Sequence, residues 1–240
     1  YNTAVGQHCL GDLTTGSQNV AVGNYALDGT DDGAYNTAVG YRALSDNCGD
    51  YNVAIGYQAL YVNTASSNTA VGRVALTANT SGANNTAVGS AALDAITTSS
   101  ECTAVGAAAL GANTAGANTA VGHRALEANT TGGQNTALGQ RAGYQVTTGQ
   151  YNSLHGWNAG GAITTGSQNT AVGNRAMDAV NNDNNTAVGY ASLSSNCGTQ
   201  NTAVGSFALN ACSVDYCTAV GYEALYANST GTNNTALGLS

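Results

Sequence analysis

The sequence predicts an all-β protein, a parallel β-solenoid of about fifteen coils. One frame recurs from end to end: Asn-Thr-Ala-Val-Gly, two variable residues, then Ala-Leu. The spacing between copies is always 16 or 17 residues, and proline is absent from the chain. We call each copy a coil and number the coils 1 to 15 in chain order. The frames begin at Asn2, Asn19, Asn36, Asn52, Asn68, Asn85, Cys102, Asn118, Asn135, Asn152, Asn169, Asn185, Asn201, Cys217 and Asn234.

The uninterrupted repeat predicts a single domain, residues 1–240, because no composition shift or linker divides it. The first and last copies follow the ordinary frame and carry no atypical capping segment. Solenoids need caps to cover their open strand edges. We therefore expect the chain to be a segment of a longer fibrous protein.

The first five residues of each coil predict a short strand, with Thr and Val on one face and Asn, Ala and Gly on the other. The Val column, which includes Val39, Ile55 and Val71, is expected to fill the coil interior, because stacked β-branched side chains suit a narrow core. The Ala–Gly column would then form an apolar strip outside. Such a strip predicts self-association through closely approaching backbones.

A glycine follows the strand in all fifteen coils and predicts a bend with positive φ or a close backbone approach. The next Ala-Leu pair is expected to begin a second short strand, whose leucines, such as Leu44 and Leu60, face the interior. Helix is the competing interpretation, but four to five residues between bends cannot offset the cost of helix nucleation. The remaining residues, such as those of 14–18, are typical of turns.

The Asn at the first position predicts a ladder in which each side-chain amide bonds to its equivalents above and below. A contact with a ligand is the alternative. Cys102 and Cys217 replace this Asn in two coils. Among the six cysteines, only Cys212 and Cys217 are near enough in sequence for an intrachain disulfide, so we predict no disulfide framework.

Charge and hydropathy exclude two classes of partner. The net charge is −8 and the five basic residues, all Arg, form no cluster, so the electrostatic attraction to nucleic acid is missing. No apolar run approaches the roughly 20 residues that span a bilayer. We therefore predict neither nucleic-acid binding nor membrane insertion within this chain.

Residues for catalysis or metal binding are sparse. His8, His123 and His155 lie in different coils, and no cluster has the spacing of a triad or a metal site. We predict that the chain is not an enzyme and has no catalytic, cofactor-binding or metal-binding residue. The acidic turn at 28–33 could bind calcium or be a solvated turn, and its irregular spacing favours the latter.

Coil 10 departs most from the frame. His155 replaces the Val, Trp157 is the only tryptophan, and Gly160 stands in place of the Leu, as Gly143 does in coil 9. One interpretation is a local register change or a kink in the rod. The other is a break in the regular surface where a ligand binds.

The frame Asn-Thr-Ala-Val-Gly-x-x-Ala-Leu, with variants such as residues 52–56, resembles the head repeats of trimeric autotransporter adhesins of the YadA type. It is even more similar to the NTA(V/I)G repeats of phage tail fibres and related surface fibres, and the resemblance covers the whole chain. It implies a left-handed parallel β-roll, three chains around a common axis, and contact with a host surface. The period of 16 to 17 residues is longer than that of the adhesin heads.

We therefore expect a structural or adhesive shaft or head segment of an extracellular or virion fibre, a homotrimer with a host surface or glycan as a possible partner. The alternative is an ice-binding solenoid that uses the Thr column, which includes Thr37, Thr69 and Thr86. Against it, Thr shares a strand face with the Val column expected inside. A glycan-degrading solenoid enzyme would need clustered carboxylates, which the sequence lacks.

Overall fold

The computed structural model describes residues 1–195 and 197–239, which fall into two compact units, Tyr1–Asn118 and Thr119–Ser240. Each coil contributes one strand of three residues, and the described residues include no helix. Accordingly, no helix in that part of the chain could cross a membrane. The strands are β1 (Thr3–Val5), β2 (Val20–Val22), β3 (Thr37–Val39), β4 (Val53–Ile55), β5 (Thr69–Val71), β6 (Thr86–Val88), β7 (Thr103–Val105), β8 (Thr119–Val121), β9 (Thr136–Leu138), β10 (Ser153–His155), β11 (Thr170–Val172), β12 (Thr186–Val188), β13 (Thr202–Val204), β14 (Thr218–Val220) and β15 (Thr235–Leu237).

Within each unit the strands pair in parallel, in chain order and in register. In the first unit Thr69 pairs with Thr86, and in the second Thr170 pairs with Thr186. Backbone bonds run from coil to coil, as from the Thr37 amide to the Asn52 carbonyl at 2.8 Å. The predicted parallel β-solenoid is therefore confirmed.

The interior of each coil lies on the Ala side of the strand. Ala38, Ala70 and Ala87 are 0% exposed, whereas Val88 is 36% and Ile55 39% exposed. The prediction that Thr and Val share one face and Ala lies on the other is confirmed. The prediction that Val points inward and Ala outward is wrong. The Ala column therefore cannot be the intermolecular strip that the sequence suggested.

The Leu column explains this inversion, because it lies directly across the coil from the strand alanines. Leu93 and Leu110 are fully buried, as predicted, and so are the alanines that precede them. Coil 10 shows how narrow the space between the two columns is. A Cβ built on Gly160, which holds the Leu position, would lie 2.7 Å from the side chain of Leu154, which holds the Ala position. A large side chain on one side therefore requires a small one on the other.

The Ala-Leu segment is a turn, so the predicted second strand is wrong. Its backbone is left-handed at alternate residues, with φ of 53° at Arg42 and 51° at Leu44. The residue before each strand is left-handed too, as at Tyr35 with φ of 60°. Left-handed residues break the extended conformation that a strand requires, despite their cost of about 1–2 kcal/mol each.

The glycine after each strand has a conformation that only glycine adopts easily. Gly89 has a φ of +140°, and a Cβ there would lie 2.5 Å from the carbonyl oxygen of Gly106 in the next coil. Both predicted reasons for this glycine, the positive φ and the close approach, are therefore confirmed.

The Asn ladder forms, but with a different pattern of hydrogen bonds from the one predicted. The backbone amide nitrogen of Asn36 donates to Asn19 Oδ1, and that of Asn52 donates to Asn36 Oδ1, both at 2.8 Å. The side-chain nitrogen donates mostly to the turn carbonyl that lies just before the next Asn, as from Asn68 Nδ2 to Gly82 at 2.8 Å. The predicted bond between equivalent side chains occurs in coils 10 and 11, as from Asn152 Nδ2 to Asn135 Oδ1 at 3.1 Å. Each amide thus joins strand backbone to turn backbone across two coils.

A third inward column occupies the twelfth position of most coils. It is polar in some coils and apolar in others, and its members are 0% exposed. These residues are Thr30, Asn63, Asn79, Ile96, Asn113, Asn129, Val146, Ile163 and Val180.

Coil 10 keeps the register of its neighbours, since Ser153 pairs with Thr136 on one side and Thr170 on the other. The register change offered for this coil is therefore wrong. Leu154 is fully buried at the Ala position, and Gly143 and Gly160 leave it the necessary space. A Cβ on Gly143 would lie 2.8 Å from Leu154 Cδ1.

Candidate binding face of the sheet

The first and third residues of the strands form one outward surface in each unit, which we call the TxV face. The third residues are large and apolar and remain about one-third exposed or more in many coils. In the first unit these are Val5, Ile55, Val88 and Val105, and in the second Val121, Leu138, Val172, Val188 and Leu237. Because the strands are in register and about 4.8 Å apart, these side chains form a regular apolar row.

The first residues of the strands form a row of hydroxyl groups beside the apolar row. Thr69, Thr86 and Thr170 are half-buried. Among the described residues, no strand Thr side chain hydrogen-bonds to a protein group; the nearest case is Ser153, whose Oγ lies 3.4 Å from His155 Nε2. The Thr hydroxyls of the face are therefore free to bond to water. The objection to ice binding, that Thr points inward with the core, no longer holds.

Substitutions in three coils change the chemistry of the face locally. Val20 and Val53 replace Thr in coils 2 and 4, which makes the first unit more apolar there. His155 replaces Val in β10 and is half-buried on the face. The face therefore carries its one imidazole in the second unit.

Tyrosines flank both edges of the face in the first unit. Tyr35 and Tyr51, before the strands, stack with ring centroids 4.9 Å apart, and Tyr41 and Tyr57, beyond the glycines, stack at 5.5 Å. The Arg42 guanidinium lies 5.5 Å from the Tyr41 ring centroid. Stacking covers the ring faces and presents their edges and hydroxyls to solvent.

The other two histidines do not join a common site. His8 is exposed and stacks on Tyr25 with ring centroids 4.9 Å apart, and His123 is exposed in the second unit. In the acidic turn, Thr30 points inward and bonds to Cys48 Sγ at 3.2 Å, while Asp31 and Asp32 point outward. No group of three or more His, Cys, Asp or Glu among the described residues is arranged to hold a metal ion.

The cysteines are free thiols, and five of the six are buried. The disulfide considered between Cys212 and Cys217 is therefore not formed. Cys197 lies beside Cys212 instead, and its Sγ donates to the Cys212 carbonyl at 3.3 Å. The contact with Cys212, together with burial, raises the pKa of Cys197.

Cys102, which replaces a ladder Asn, acts as a neutral hydrogen-bond donor. The Cys102 amide nitrogen donates to Asn85 Oδ1 at 2.9 Å, and its Sγ donates to the Ala115 carbonyl at 3.3 Å. Burial raises the pKa of Cys102, and that of Cys48 to about 11. These thiols therefore stay protonated at neutral pH and serve the fold.

The TxV face is thus a regular outward surface in each unit, with an apolar row and a hydroxyl row side by side. Sequence alternation alone could identify its residues but not its outward direction. No protein-family model, curated protein or solved structure matches this chain.

Proposed function

We propose that this chain is a non-catalytic structural and adhesive segment of an extracellular or virion fibre, and that it associates with copies of itself through the TxV face. The observation that carries the proposal is the row of exposed Val, Ile and Leu side chains on the strands of each unit. Extended apolar rows on a soluble protein mark interfaces, because their exposure to water is unfavourable.

Association between identical chains follows from the regularity of the face. Most coils present Thr and an apolar side chain at the same two positions and the same spacing, so one copy can pack against another over many coils without a specialised contact. Closed symmetry would bury the whole row and leave no copy with an exposed apolar strip. The trimer is the state that the resemblance to surface fibres implies.

Sedimentation velocity at micromolar concentration tests the proposal. The unmodified chain should sediment as an oligomer, and a variant with Val88→Asp and Val172→Asp, one change in each unit, should shift toward the monomer. Circular dichroism should be unchanged, because both side chains are outside the coil. Ser81→Asp, on an exposed turn, adds a charge away from the face and should leave the oligomer intact. A well-folded monomeric wild type would overturn the proposal.

Ice binding through the same face is the second candidate, and the outward Thr row favours it. Hydroxyl and methyl groups at a repeat of about 4.8 Å can hold water in an ordered array on a flat surface. Thermal hysteresis is the measurement. Activity that is lost in Thr69→Lys with Thr86→Lys, but kept in Ser81→Lys, would support ice binding. Absence of hysteresis in the wild type would exclude it.

A further inference from the structure

A cleft of about 350 Å³ opens beside the turns of coils 9 to 11 in the second unit, away from the strands. Its walls include Arg141, Tyr144, Trp157, Asn158, Arg175 and Asp178. We call it the Trp157 cleft. Its volume is at the lower end of the range for small-molecule sites, about 300–1,000 Å³, and suits one sugar ring.

The cleft exists because coil 10 has a glycine where its neighbours have large side chains. The residue after the Leu position is Tyr144 in coil 9, Gly161 in coil 10 and Asp178 in coil 11. The Asn158 side chain lies over Gly161, where a Cβ would be only 2.6 Å from it. Gly161 therefore both opens the space and allows Asn158 to line it.

The Arg side chains around the cleft are not equivalent. Arg124 Nε donates to Glu127 at 2.5 Å, and Arg175 Nε donates to Asp178 at 2.6 Å, each to the residue three positions later. Arg141 has Tyr144 at that position, and its guanidinium lies 4.5 Å from the Tyr144 ring centroid.

Arg141 therefore lacks the carboxylate partner that Arg124 and Arg175 have. Among the described residues it makes no ion pair, and its Nε is buried without a hydrogen-bond partner. Because Nε is buried, the donors open to a ligand are the two terminal guanidinium nitrogens, which make no hydrogen bond to the described residues. The guanidinium fork matches a carboxylate in geometry and charge.

The other groups of the cleft suit the rest of a sugar. Trp157 is 44% exposed and offers an aromatic surface for the apolar face of a sugar ring. Asn158 and Asp178 supply donors and acceptors for hydroxyl groups. A simple carboxylate would satisfy Arg141 but would leave the aromatic surface and these polar groups unused.

A second cleft, of about 280 Å³, adjoins the first and shares Arg175 and Asp178 with it. Its other walls include Tyr190 and Phe207, whose rings meet edge to face with centroids 5.2 Å apart. Two neighbouring clefts with aromatic walls can take successive units of one oligosaccharide.

We propose that the Trp157 cleft binds a carboxylate-bearing sugar, with the carboxylate on Arg141 and the ring on Trp157, as one unit of an acidic oligosaccharide. This deepens the adhesive role proposed above and rests on it for the biological setting, but the site is separate from the TxV face. Binding in the cleft is therefore testable whether or not the chain oligomerises.

Trp157 is the only tryptophan, so its intrinsic fluorescence reports on this cleft alone. We would titrate the protein with a tetrasaccharide that alternates glucuronic acid and N-acetylglucosamine, and in parallel with neutral N-acetylglucosamine tetrasaccharide and with acetate. The acidic tetrasaccharide should change the emission with saturation, and both other probes should bind at least about tenfold more weakly, since a charge-assisted hydrogen bond is lost or the sugar contacts are missing.

Arg141→Gln should weaken binding of the acidic tetrasaccharide about tenfold or more. The variant should fold, because Gln58 holds the same repeat position in coil 4 with a φ of 53°, near the 59° of Arg141. Arg73→Gln, on an exposed position of the first unit, is the matched control and should bind as wild type does.

Several results would overturn the inference. These are no saturable change with the acidic tetrasaccharide, equal binding of the acidic and neutral tetrasaccharides, equal binding of acetate, or unchanged affinity in folded Arg141→Gln. The same titration on the variant with Val88→Asp and Val172→Asp keeps this test apart from the oligomer test, because loss of self-association should leave binding in the cleft unchanged.

Discussion

Coils 6 and 10 fill the same interior space in opposite ways. In coil 6 the strand contributes Ala87 and the turn across from it contributes Leu93, both fully buried. In coil 10 the strand contributes Leu154 and the turn contributes Gly160. Both coils keep the parallel register, so the backbone tolerates either arrangement as long as a large side chain on one side faces a small residue on the other.

The exchange has a consequence on the outer surface. In coil 10, Gly160 is followed by a second glycine, Gly161, and the absence of a side chain at Gly161 opens the Trp157 cleft. Coil 6 has Asp94 at the equivalent position. A compensated change in the core thus coincides with the Trp157 cleft on the surface.

The largest expected effect on stability comes from comparing substitutions on the two faces of a single strand. Ala87→Asp should destabilise the fold by roughly 4 kcal/mol or more, because a carboxylate would be buried without a partner. Val88→Asp, one residue later on the exposed face, should change the free energy of unfolding of the dissociated chain by less than about 1 kcal/mol. Urea unfolding followed by circular dichroism measures both. The reverse order would place Val inside the coil.

An intermediate effect is expected where coil 10 is converted to the common frame. Leu154→Ala alone should cost about 2–5 kcal/mol, because it leaves a cavity between Gly143 and Gly160. Gly160→Leu alone should cost about 1–3 kcal/mol through its clash with Leu154.

Combining Leu154→Ala with Gly143→Leu and Gly160→Leu should restore most of that stability. The backbone permits the exchange, since Leu93 has a φ of 51° at the position where Gly160 has 63°. Thermal unfolding of the single and combined variants gives the coupling energy. Simple additivity of the three costs would contradict the idea that these positions share one space.

The smallest effect is expected at the third inward column, which is polar in coil 5 and apolar in coils 9 and 10. Asn79 Nδ2 donates to Asn63 Oδ1 at 2.7 Å and to the Gly82 carbonyl at 2.8 Å. Both acceptors also accept a hydrogen bond from Asn68 Nδ2, at 3.2 and 2.8 Å. Asn79 Oδ1 is buried without a partner.

Asn79→Val, which copies Val146 of coil 9, should therefore be neutral within about 1 kcal/mol or slightly stabilising. Chemical denaturation against wild type measures it. Asn68→Val is the contrasting variant, because it leaves the Asn85 amide nitrogen without its acceptor and should cost about 1–3 kcal/mol. Equal losses in the two variants would show that the Asn79 side chain is needed.

The irregular coil shows how far sequence reasoning reaches. The substitutions at His155, Trp157, Gly143 and Gly160 are visible in the sequence and indicate either a register change or kink, or a ligand site. Leu154 was also visible as the one exception in the Ala column. Its link to the two glycines was missed, because with Ala placed outside there was no reason to expect Leu154 to compete with them for space.

The sequence by itself determined the period, the first short strand of each coil, the parallel order, the glycine bend and the burial of the Leu column, whereas the absence of a second strand came from the structure. These follow from a repeat that brings identical residues together one coil apart. Alternation along the strand also determined which residues share a face. The structure alone decided which face is inside, because both faces are apolar and the choice depends on the depth of the coil. Left-handed turns place the Leu column directly across from the strand, and the remaining depth accommodates Ala but excludes Val.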